Sequence, residues 1–421
     1  MSLPPATSST PVGHQGAPLA VRRRLTGVLF AGVGIGRTGY IAAVTVTTLV
    51  AKDLLGSATL AGLPGAVAVL GSALGGSRLS ALMDRRGRRQ GMITGYSLVV
   101  LGAGVAAVAT AIGSFPMLVV ALAVFGFGSS ADNLARYAAA DLNPPHRQGS
   151  AIAFVVWAGT IGSVLGPSLL APSEAFSRLI HIEELAGGFL LAAVAGGLAL
   201  LVVGTMLRPD PLEFADRGEP NAPSRAVGGA SPAVRIAVAS LAVGQVVMVL
   251  IMAMTPIHVR DHGHSLSTVG LIISAHTLGM FAMSPLTGAM ADRLGRLPVI
   301  LTGHGILALA AVMGAVADEH ATGVLTAALF LLGLGWNFSF VAGSALLTEG
   351  AAPARRVRLQ GVGDAVLWTS GALASLSSGL LLAASSYAVL CLVGAALTVV
   401  PVLVIAHQRL TSGRAVTDPA G

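Results

Sequence analysis

The sequence is poor in charged residues, in aromatic residues and in cysteine. Charged side chains make up 10% of its 421 residues and aromatic side chains 5%, and the mean hydropathy is +0.80. A water-soluble domain carries about 25% charged residues. The single cysteine, Cys391, excludes a disulfide framework and any metal site built from several cysteines. The shortage of charge excludes a water-soluble globular chain and places the protein in a lipid bilayer.

Hydrophobic residues make up 54% of the chain and are gathered in long runs. About 20 apolar residues in a helix cross the hydrocarbon core of a membrane, which is roughly 30 Å thick. The alternating pattern of a membrane-spanning strand is absent, so only helices satisfy the backbone. The sequence therefore predicts an all-α polytopic membrane protein with twelve transmembrane helices. The predicted spans are 24–51, 58–82, 91–113, 116–140, 150–171, 186–207, 233–256, 267–291, 298–317, 321–347, 360–383 and 386–407.

The positive charge is distributed like a topology signal. The net charge is +7 and the isoelectric point is near 10.6, but most of the 25 Lys and Arg residues lie on one side of the predicted spans. By the positive-inside rule we expect a bacterial inner-membrane protein with both termini cytoplasmic, and no nucleic-acid partner. The predicted organisation is a disordered tail at 1–23, six-helix bundles at 24–207 and 233–407, a cytoplasmic loop at 208–232 and a tail at 408–421.

The two predicted bundles are related by an internal repeat. Residues 80–88 (SALMDRRGR) follow the second span, and residues 288–296 (GAMADRLGR) follow the eighth. The same offset pairs residues 52–53 with 260–261. Two parallel six-helix halves with this loop motif resemble the major facilitator superfamily. Ser80 replaces the first glycine of the family motif, and we expect looser helix packing there.

The charged residues of the two repeated loops are predicted gate elements. Asp84 and Asp292 can accept hydrogen bonds from first-turn N–H groups of a helix elsewhere in the bundle, and Asp364 is a candidate partner for Arg88. Such contacts form in one carrier state and break in the other. For the arginines, simple anchoring on the positive side is the alternative. The predicted gate residues are Asp84, Arg85, Gly87, Arg88, Asp292, Arg293, Gly295, Arg296 and Asp364.

The seventh and eighth spans each carry two soft metal ligands four positions apart. These pairs are Met248 with Met252 and His276 with Met280. Residues four apart share a helix face, about 6 Å apart along the axis, and thioether and imidazole ligands favour Cu(I). Met248 and His276 should lie level in the membrane, at the centre of a staggered path. For the methionines alone, core packing is the alternative.

The pairs, with their spacing, resemble those of the CcoA-like copper importers, a branch of the superfamily. The resemblance implies copper import, with copper as the transported substrate and no permanently bound cofactor. Three histidines after the seventh span, His258, His262 and His264, are predicted to capture copper; incidental histidines in a solvated loop are the alternative.

Charged residues also lie within the first half. Arg37 in the first span and Asp132 in the fourth, next to Asn133, are costly to bury unless paired, so we predict an Arg37–Asp132 ion pair. The pair either serves proton coupling or an organic-anion site, or only holds the half together. The repeat places Gln245 opposite Arg37.

An organic substrate is the alternative to copper. Trp336 and Asn337 in the tenth span are expected to face the cavity, where an aromatic ring suits a planar molecule. Gly162-x-x-x-Gly166-Pro167 resembles the antiporter-associated motif of the superfamily. The alternative function is therefore a proton-coupled transporter of small organic molecules, either a drug exporter or a riboflavin-like vitamin importer.

Other function classes rank below these two. A membrane metal sensor is disfavoured because the central loop and the C-terminal tail are short. No phosphate-binding loop or nucleophile–base arrangement is visible, so we do not expect an enzyme. We expect a monomer whose partners are the bilayer and a small substrate.

Overall fold

The computed structural model of the protein describes residues 17–55, 62–215, 231–263, 266–318 and 322–414. Within these parts, twelve helices are long and apolar enough to cross a membrane, which confirms the predicted fold class. Their bounds are α1 Leu19–Leu55, α2 Leu63–Arg86, α3 Arg88–Ala111, α4 Phe115–Asp141, α5 Pro145–Ser168, α6 Ala186–Met206, α7 Pro232–Val259, α8 Thr268–Leu294, α9 Arg296–Val316, α10 Thr322–Gly350, α11 Pro353–Ala384 and α12 Tyr387–Gln408.

Several helix ends differ from those predicted. The first helix begins at Leu19, inside the predicted tail, and the last one continues to Arg414. A short helix at Leu170–Leu179 joins α5 to α6 and was not predicted. Its sequence, LAPSEAFSRL, contains charged residues and is too short to span a bilayer, so a search for long apolar runs does not detect it. Residues 1–16 of the predicted tail lie outside the described residues.

The glycines of the repeated loop motif have a backbone role. Gly87 separates α2 from α3 with φ of 94°, and Gly295 separates α8 from α9 with φ of 91°. Glycine adopts positive φ without the steric cost that a Cβ atom brings. The chain can therefore end one helix and begin the next within a single residue at both positions.

The sequence repeat is also a repeat of helix packing. In the first half, α1 packs on α5 and α6, α2 on α4, and α3 on α4 and α6. In the second half, the equivalent helices pack in the same pairs: α7 on α11 and α12, α8 on α10, and α9 on α10 and α12. The halves meet where α2 packs on α11 and α5 packs on α8. We call these two interfaces the α2–α11 seam and the α5–α8 seam.

The start of the predicted central loop is part of the folded structure. Asp210 caps a short 3-10 helix at Pro211–Phe214. Its carboxylate also accepts hydrogen bonds from the backbone N–H groups of Arg88 at 3.0 Å and Arg89 at 2.9 Å, at the N-terminus of α3. A negative charge is favourable there because the first-turn N–H groups lack partners in their own helix. Residues 216–230 of the loop lie outside the described residues.

Basic side chains gather where α2 joins α3 and α8 joins α9. The same end of the bundle holds the turns from α4 to α5 and from α10 to α11, and we call it the basic end. Polar contacts between the two halves are concentrated there, as described below.

Candidate functional site

A cavity of about 330 Å³ lies between the two halves. Side chains of α1, α4 and α5 line it from the first half, and side chains of α7, α8, α10 and α11 from the second. Most of the lining is apolar or aromatic, with a few polar groups. That composition is typical of sites for small organic ligands.

The wall from the second half presents a stack of aromatic rings. The rings of Trp336 and Phe340 lie 4.5 Å apart and 13° from parallel, and Phe281 meets Trp336 edge-on at 6.2 Å. The indole Nε1–H of Trp336 donates a 2.8 Å hydrogen bond to Oε1 of Gln245, which fixes the ring. Gln245 and Trp336 both line the cavity, where a planar molecule can stack on the aromatic rings.

Asn337 has a different position from the one predicted. Its amide donates hydrogen bonds to the carbonyl of Met280 at 2.6 Å and to Oγ of Ser284 at 2.7 Å, and it accepts one from Thr287 at 2.7 Å. The side chain is fully buried against α8, where the regular helix is interrupted before Ser284. Neighbouring residues on a helix point about 100° apart, so Trp336 and Asn337 do not share a surface. Asn337 satisfies the polar groups of the interruption.

The predicted ion pair between Arg37 and Asp132 is wrong. The guanidinium of Arg37 donates instead to Oδ1 of Asn133, and Asp132 accepts a 2.8 Å hydrogen bond from the Tyr96 hydroxyl. Asp132 packs against Gly36, where a Cβ atom would come within 2.6 Å of its carboxylate. Because Gly36 has no side chain, the carboxylate of Asp132 can lie against the backbone of α1. Asn133, the next residue of α4, then contacts Arg37. All three predicted residues nonetheless line the cavity.

Arg136 lines the cavity on α4 and connects the two halves. Its guanidinium forms a buried ion pair with Asp364 of α11 and donates to Oγ of Ser344 at 3.0 Å and to the Tyr137 hydroxyl at 2.9 Å. It also lies 4.4 Å from the centre of the Phe340 ring, within range of a cation–π contact. The pairing of Arg136 was not predicted. The signal that could have found it is the position of an arginine inside a membrane span, where a charge needs a partner.

Asp364 was a candidate partner for Arg88, and that prediction is wrong. Arg88 pairs with Asp141 of α4 at 2.7 Å and donates to Oε1 of Gln360 on α11 at 2.6 Å. Gln360 precedes Asp364 by one helical turn on α11, so the two residues extend one contact surface from the basic end toward the cavity.

The α5–α8 seam contains the predicted aspartate contact. The carboxylate of Asp292 accepts hydrogen bonds from the backbone N–H groups of Gly149 at 2.9 Å and Ser150 at 2.8 Å, at the start of α5. Arg296 lies 3.1 Å from Asp292 and 2.5 Å from Glu349 of α10. The Asp292 hydrogen bonds, together with one from the Arg296 guanidinium to the carbonyl of Pro145 at 2.7 Å, tie the two halves together at the basic end.

The α2–α11 seam differs from this arrangement. Asp84 pairs with the exposed side chain of Arg358 at 3.2 Å and not with backbone N–H groups. The expectation of looser packing at Ser80 is wrong, because Ser80 packs closely against Gly361 of α11. A Cβ atom on residue 361 would lie 1.8 Å from Oγ of Ser80. Glycine at position 361 makes room for the serine.

Two of the predicted gate arginines occupy equivalent exposed positions. Arg85 and Arg293 both lie on the surface at the basic end, one residue after the aspartates of their motifs. Their role in gating stays a prediction.

The four predicted copper ligands are divided between two environments. Met248 and Met280 line the cavity, whereas Met252 and His276 do not. The His276 side chain is buried, and Nδ1 donates a 2.9 Å hydrogen bond to the carbonyl oxygen of Leu329 on α10. The described residues contain no group of three or more His, Cys, Asp or Glu side chains that could hold a metal ion.

Two of the three predicted capture histidines, His258 and His262, lie at the end of the bundle opposite the basic end. His258 lies in the last turn of α7, whose helix continues to Asp261, and His262 lies in the turn that follows, so neither lies in an open loop. The ring of His258 stacks on Tyr387 at 4.1 Å and lies 4.4 Å from the ring of His262. His264 lies outside the described residues. Copper capture by these residues stays a prediction.

Comparison with known proteins decides the family. The model of the family described as Major Facilitator Superfamily matches residues 28–243 and 236–416. The chain belongs to the major facilitator superfamily. It is a multi-pass membrane transporter, and the superfamily resemblance seen in the sequence is confirmed.

Relatives within the superfamily cover most of the chain. The chain is 37% identical over 385 residues to the MFS-type transporter YdeG of Bacillus subtilis (strain 168), described as uncharacterized, covering 89% of each protein. It is 31% identical over 373 residues to the riboflavin transporter RfnT of Brucella anthropi, covering 87% of this chain and 91% of that protein. Neither similarity identifies the copper-importer branch, which stays a prediction.

Solved structures of superfamily members share the fold. The human organic anion transporter MFSD10 (TETRAN) superposes with a TM-score of 0.70 at 16% identity, covering 91% of this chain and 99% of that one. The proton:xylose symporter XylE superposes with a TM-score of 0.71 at 18% identity, covering 91% of this chain and 95% of that one. At such identities the likeness concerns the fold alone.

Proposed function

We propose that this superfamily member transports a small planar organic molecule by alternating access. The observation that carries the proposal is the cavity between the halves, where stacked aromatic rings on one wall face hydrogen-bonding and charged groups on the other. The aromatic wall supplies dispersion and stacking, and the polar groups orient the substrate.

The polar groups of the cavity define the chemistry of the substrate. Arg37 and Asn133 offer a cation and an amide from the first half, and Gln245 offers an amide from the second. The indole N–H of Trp368, also at the cavity, has no hydrogen-bond partner within the described chain and is a donor for a substrate oxygen or nitrogen. A heteroaromatic ring bearing carbonyl and imide groups matches these donors and acceptors.

Similarity to the riboflavin transporter RfnT supports the same class of substrate. Riboflavin contains a planar heteroaromatic ring with carbonyl and imide groups, so we propose riboflavin or a molecule of that class as the substrate. Copper is the weaker candidate. Of its four predicted ligands only two thioethers reach the cavity, and the imidazole Nδ1 of His276 is engaged by a backbone carbonyl.

The membrane setting completes the proposal. We propose that the protein works as a monomer in the bacterial inner membrane, with its basic end in the cytoplasm. In the conformation described, Arg136, Asp292 and Arg296 join the two halves at or near that end. Breaking these contacts would open the cavity to the cytoplasm as the halves rock about the substrate.

An uptake experiment tests the substrate. Cells without riboflavin uptake of their own, expressing this protein, should accumulate radiolabelled riboflavin, and Trp336→Ala should reduce the initial rate about tenfold, which corresponds to roughly 1.4 kcal/mol of lost stacking. Trp157→Ala is the matched control, because Trp157 is partly exposed on α5 and does not line the cavity. It should leave uptake unchanged.

A parallel measurement of radioactive copper distinguishes the two functions. Copper accumulation that depends on the protein and falls with Met252→Leu, without any riboflavin uptake, would overturn the proposal in favour of copper. If the rate of riboflavin uptake is as little affected by Trp336→Ala as by the control Trp157→Ala, the substrate binds outside this cavity.

A further inference from the structure

Helix α8 consists of two segments, Leu266–Phe281 and Ser284–Leu294, separated by a two-residue turn. Pro285 accounts for the interruption, because it has no N–H to donate to the carbonyl of Phe281 and its ring would clash with that carbonyl in a regular helix. The first segment packs mainly on α10 of its own half, and the second packs mainly on α5 of the other half. The interruption is therefore the point at which α8 leaves its own half and enters the α5–α8 seam.

The side chain of Asn337 joins the two segments. Its amide donates to the carbonyl of Met280, the next-to-last residue of the first segment, and to Oγ of Ser284, the first residue of the second segment. Its Oδ1 accepts a hydrogen bond from the hydroxyl of Thr287, one turn further on. The side chains of Asn337, Ser284 and Thr287 are fully buried, where an unmade hydrogen bond is costly. These bonds hold the ends of both segments against α10.

The first half lacks this arrangement. Its equivalent helix, α2, is uninterrupted from Leu63 to Arg86. The sequence repeat places Ser130 opposite Asn337, and Oγ of Ser130 bonds at 2.7 Å to the carbonyl of Phe127 in its own helix. The residues opposite Ser284, Pro285 and Thr287 are Gly76, Ser77 and Leu79. Packing of a half-bundle therefore does not require the interruption, which points to a role at the cavity.

The interruption determines where the Phe281 ring lies. Phe281 ends the first segment, lines the cavity and meets Trp336 edge-on at 6.2 Å. A Cβ atom on Gly159 of α5 would lie 2.9 Å from Cδ1 of the Phe281 ring. The ring thus fills the space between the aromatic wall of the second half and α5 of the first half. Its position follows from the backbone at Met280 and Phe281, which Asn337 holds.

We propose that Asn337 is a positioning residue for substrate binding. By holding the interruption of α8, it keeps the Phe281 ring between Trp336 and Gly159, where the ring bounds the surface on which a planar substrate stacks. Asn337 does not touch the substrate and acts through Phe281. This role rests on the proposed function for the identity of the substrate, but the position of residue 281 can be measured without any substrate.

Transport kinetics test the role of Asn337. Asn337→Ser introduces the residue found opposite it in the first half, and it should raise KM for riboflavin uptake about fivefold with kcat nearly unchanged, because displacing an aromatic ring weakens binding. Phe281→Ala should raise KM to a similar extent. The double variant should raise KM no further, because both substitutions remove the same contact.

A matched control separates positioning from general loss of packing. Ser339 is likewise buried on α10, but its Oγ has no hydrogen-bond partner within the described chain and the residue does not line the cavity. Ser339→Ala should leave KM unchanged. A fall in kcat at unchanged KM for Asn337→Ser, or strictly additive effects of Asn337→Ser and Phe281→Ala, would overturn the proposal.

Cysteine labelling tests the same role without a substrate. In a Phe281→Cys, Cys391→Ala protein, Asn337→Ser should raise the rate of maleimide labelling several-fold, because residue 281 is no longer held against α5, whereas Ser339→Ala should not change it. Equal rates with asparagine and serine at position 337 would overturn the positioning role. Faster labelling in a protein that does not take up riboflavin would contradict the proposed substrate and leave the positioning role standing. If Asn337→Ser does not fold, Thr287→Val, which removes the hydroxyl that donates to Asn337, replaces it in both measurements with the same expected directions.

Discussion

At the scale of single residues, Arg136 connects the cavity between the halves to the interface that holds them together. It touches the aromatic wall through Phe340 and crosses to α11 through its ion pair with Asp364. A ligand that displaces the Phe340 ring therefore acts directly on a contact that joins the halves. In the transport cycle proposed above, substrate binding and opening of the basic end would share this side chain.

Removal of one partner of this pair should be worse than removal of both. Asp364→Asn leaves the guanidinium of Arg136 buried without a countercharge, and we expect a loss of about 3 kcal/mol in unfolding free energy. The double variant with Arg136→Gln should recover part of that loss, because no unpaired charge remains. Thermal or denaturant unfolding of the four proteins in detergent measures the coupling. Strictly additive effects of the two single substitutions would show that the ion pair contributes nothing.

Asp132 is the carboxylic acid at the cavity, and proton coupling at this residue is testable. Asp132→Asn keeps a side-chain oxygen that can accept the hydrogen bond from Tyr96 but cannot bind and release a proton at neutral pH. In liposomes we expect exchange of substrate across the membrane at equal pH to persist, whereas accumulation driven by a proton gradient is lost. A variant that accumulates substrate as the wild type does would exclude Asp132 from coupling.

At the scale of helices, close approach of backbones places the polar residues of the cavity. The Gly162 motif of α5, predicted from its resemblance to an antiporter motif, lies against α1: Cβ atoms at Gly162 and Gly166 would come within 2.5 Å of Arg37 and 2.8 Å of Ile41. The motif therefore has a packing role beside the cavity.

Filling this contact should displace Arg37. Gly162→Ala forces α1 and α5 apart, so we expect at least a tenfold lower transport rate, with the protein still inserted in the membrane. Gly104→Ala in α3 is the matched control, since a Cβ atom there meets nothing within 4 Å and alanine is the better helix former. Initial uptake rates normalised to membrane expression decide the matter. Unchanged transport in the Gly162 variant would show that α5 can move away freely.

The sequence predicted the helices better than it predicted the side-chain partners. Hydrophobic runs and the repeat are enough for twelve spans and two halves, because lipid imposes length and apolarity on every span. The partner of Arg37 could not be derived in this way. Asp132 and Asn133 are adjacent in the chain, and which of them meets α1 depends on helix rotation and on space at Gly36. The repeat placed Gln245 opposite Arg37, and both residues line the cavity, but adjacency to Trp336 did not place Asn337 there.

At the scale of the whole molecule, the contacts at the basic end define the conformational state. Asp84 of α2 and Arg358 of α11 face each other across the α2–α11 seam. Cysteines at both positions in a Cys391→Ala background should be joined by a short bis-maleimide, and joining them should stop transport because the halves can no longer separate at that end. Each single-cysteine variant treated in the same way is the control. Continued transport after complete crosslinking would show that the basic end need not open.

The two seams are held by different kinds of partner. On the α5–α8 side a carboxylate is held by backbone amides, which are neutral and are retained by nearly any substitution; on the α2–α11 side the outermost contact is an exposed ion pair between Asp84 and Arg358. Added salt weakens an exposed ion pair, which contributes at most about 1 kcal/mol, but it leaves hydrogen bonds to backbone amides in place. Added salt should therefore weaken the outermost contact of the α2–α11 seam and leave the aspartate contact of the α5–α8 seam unchanged.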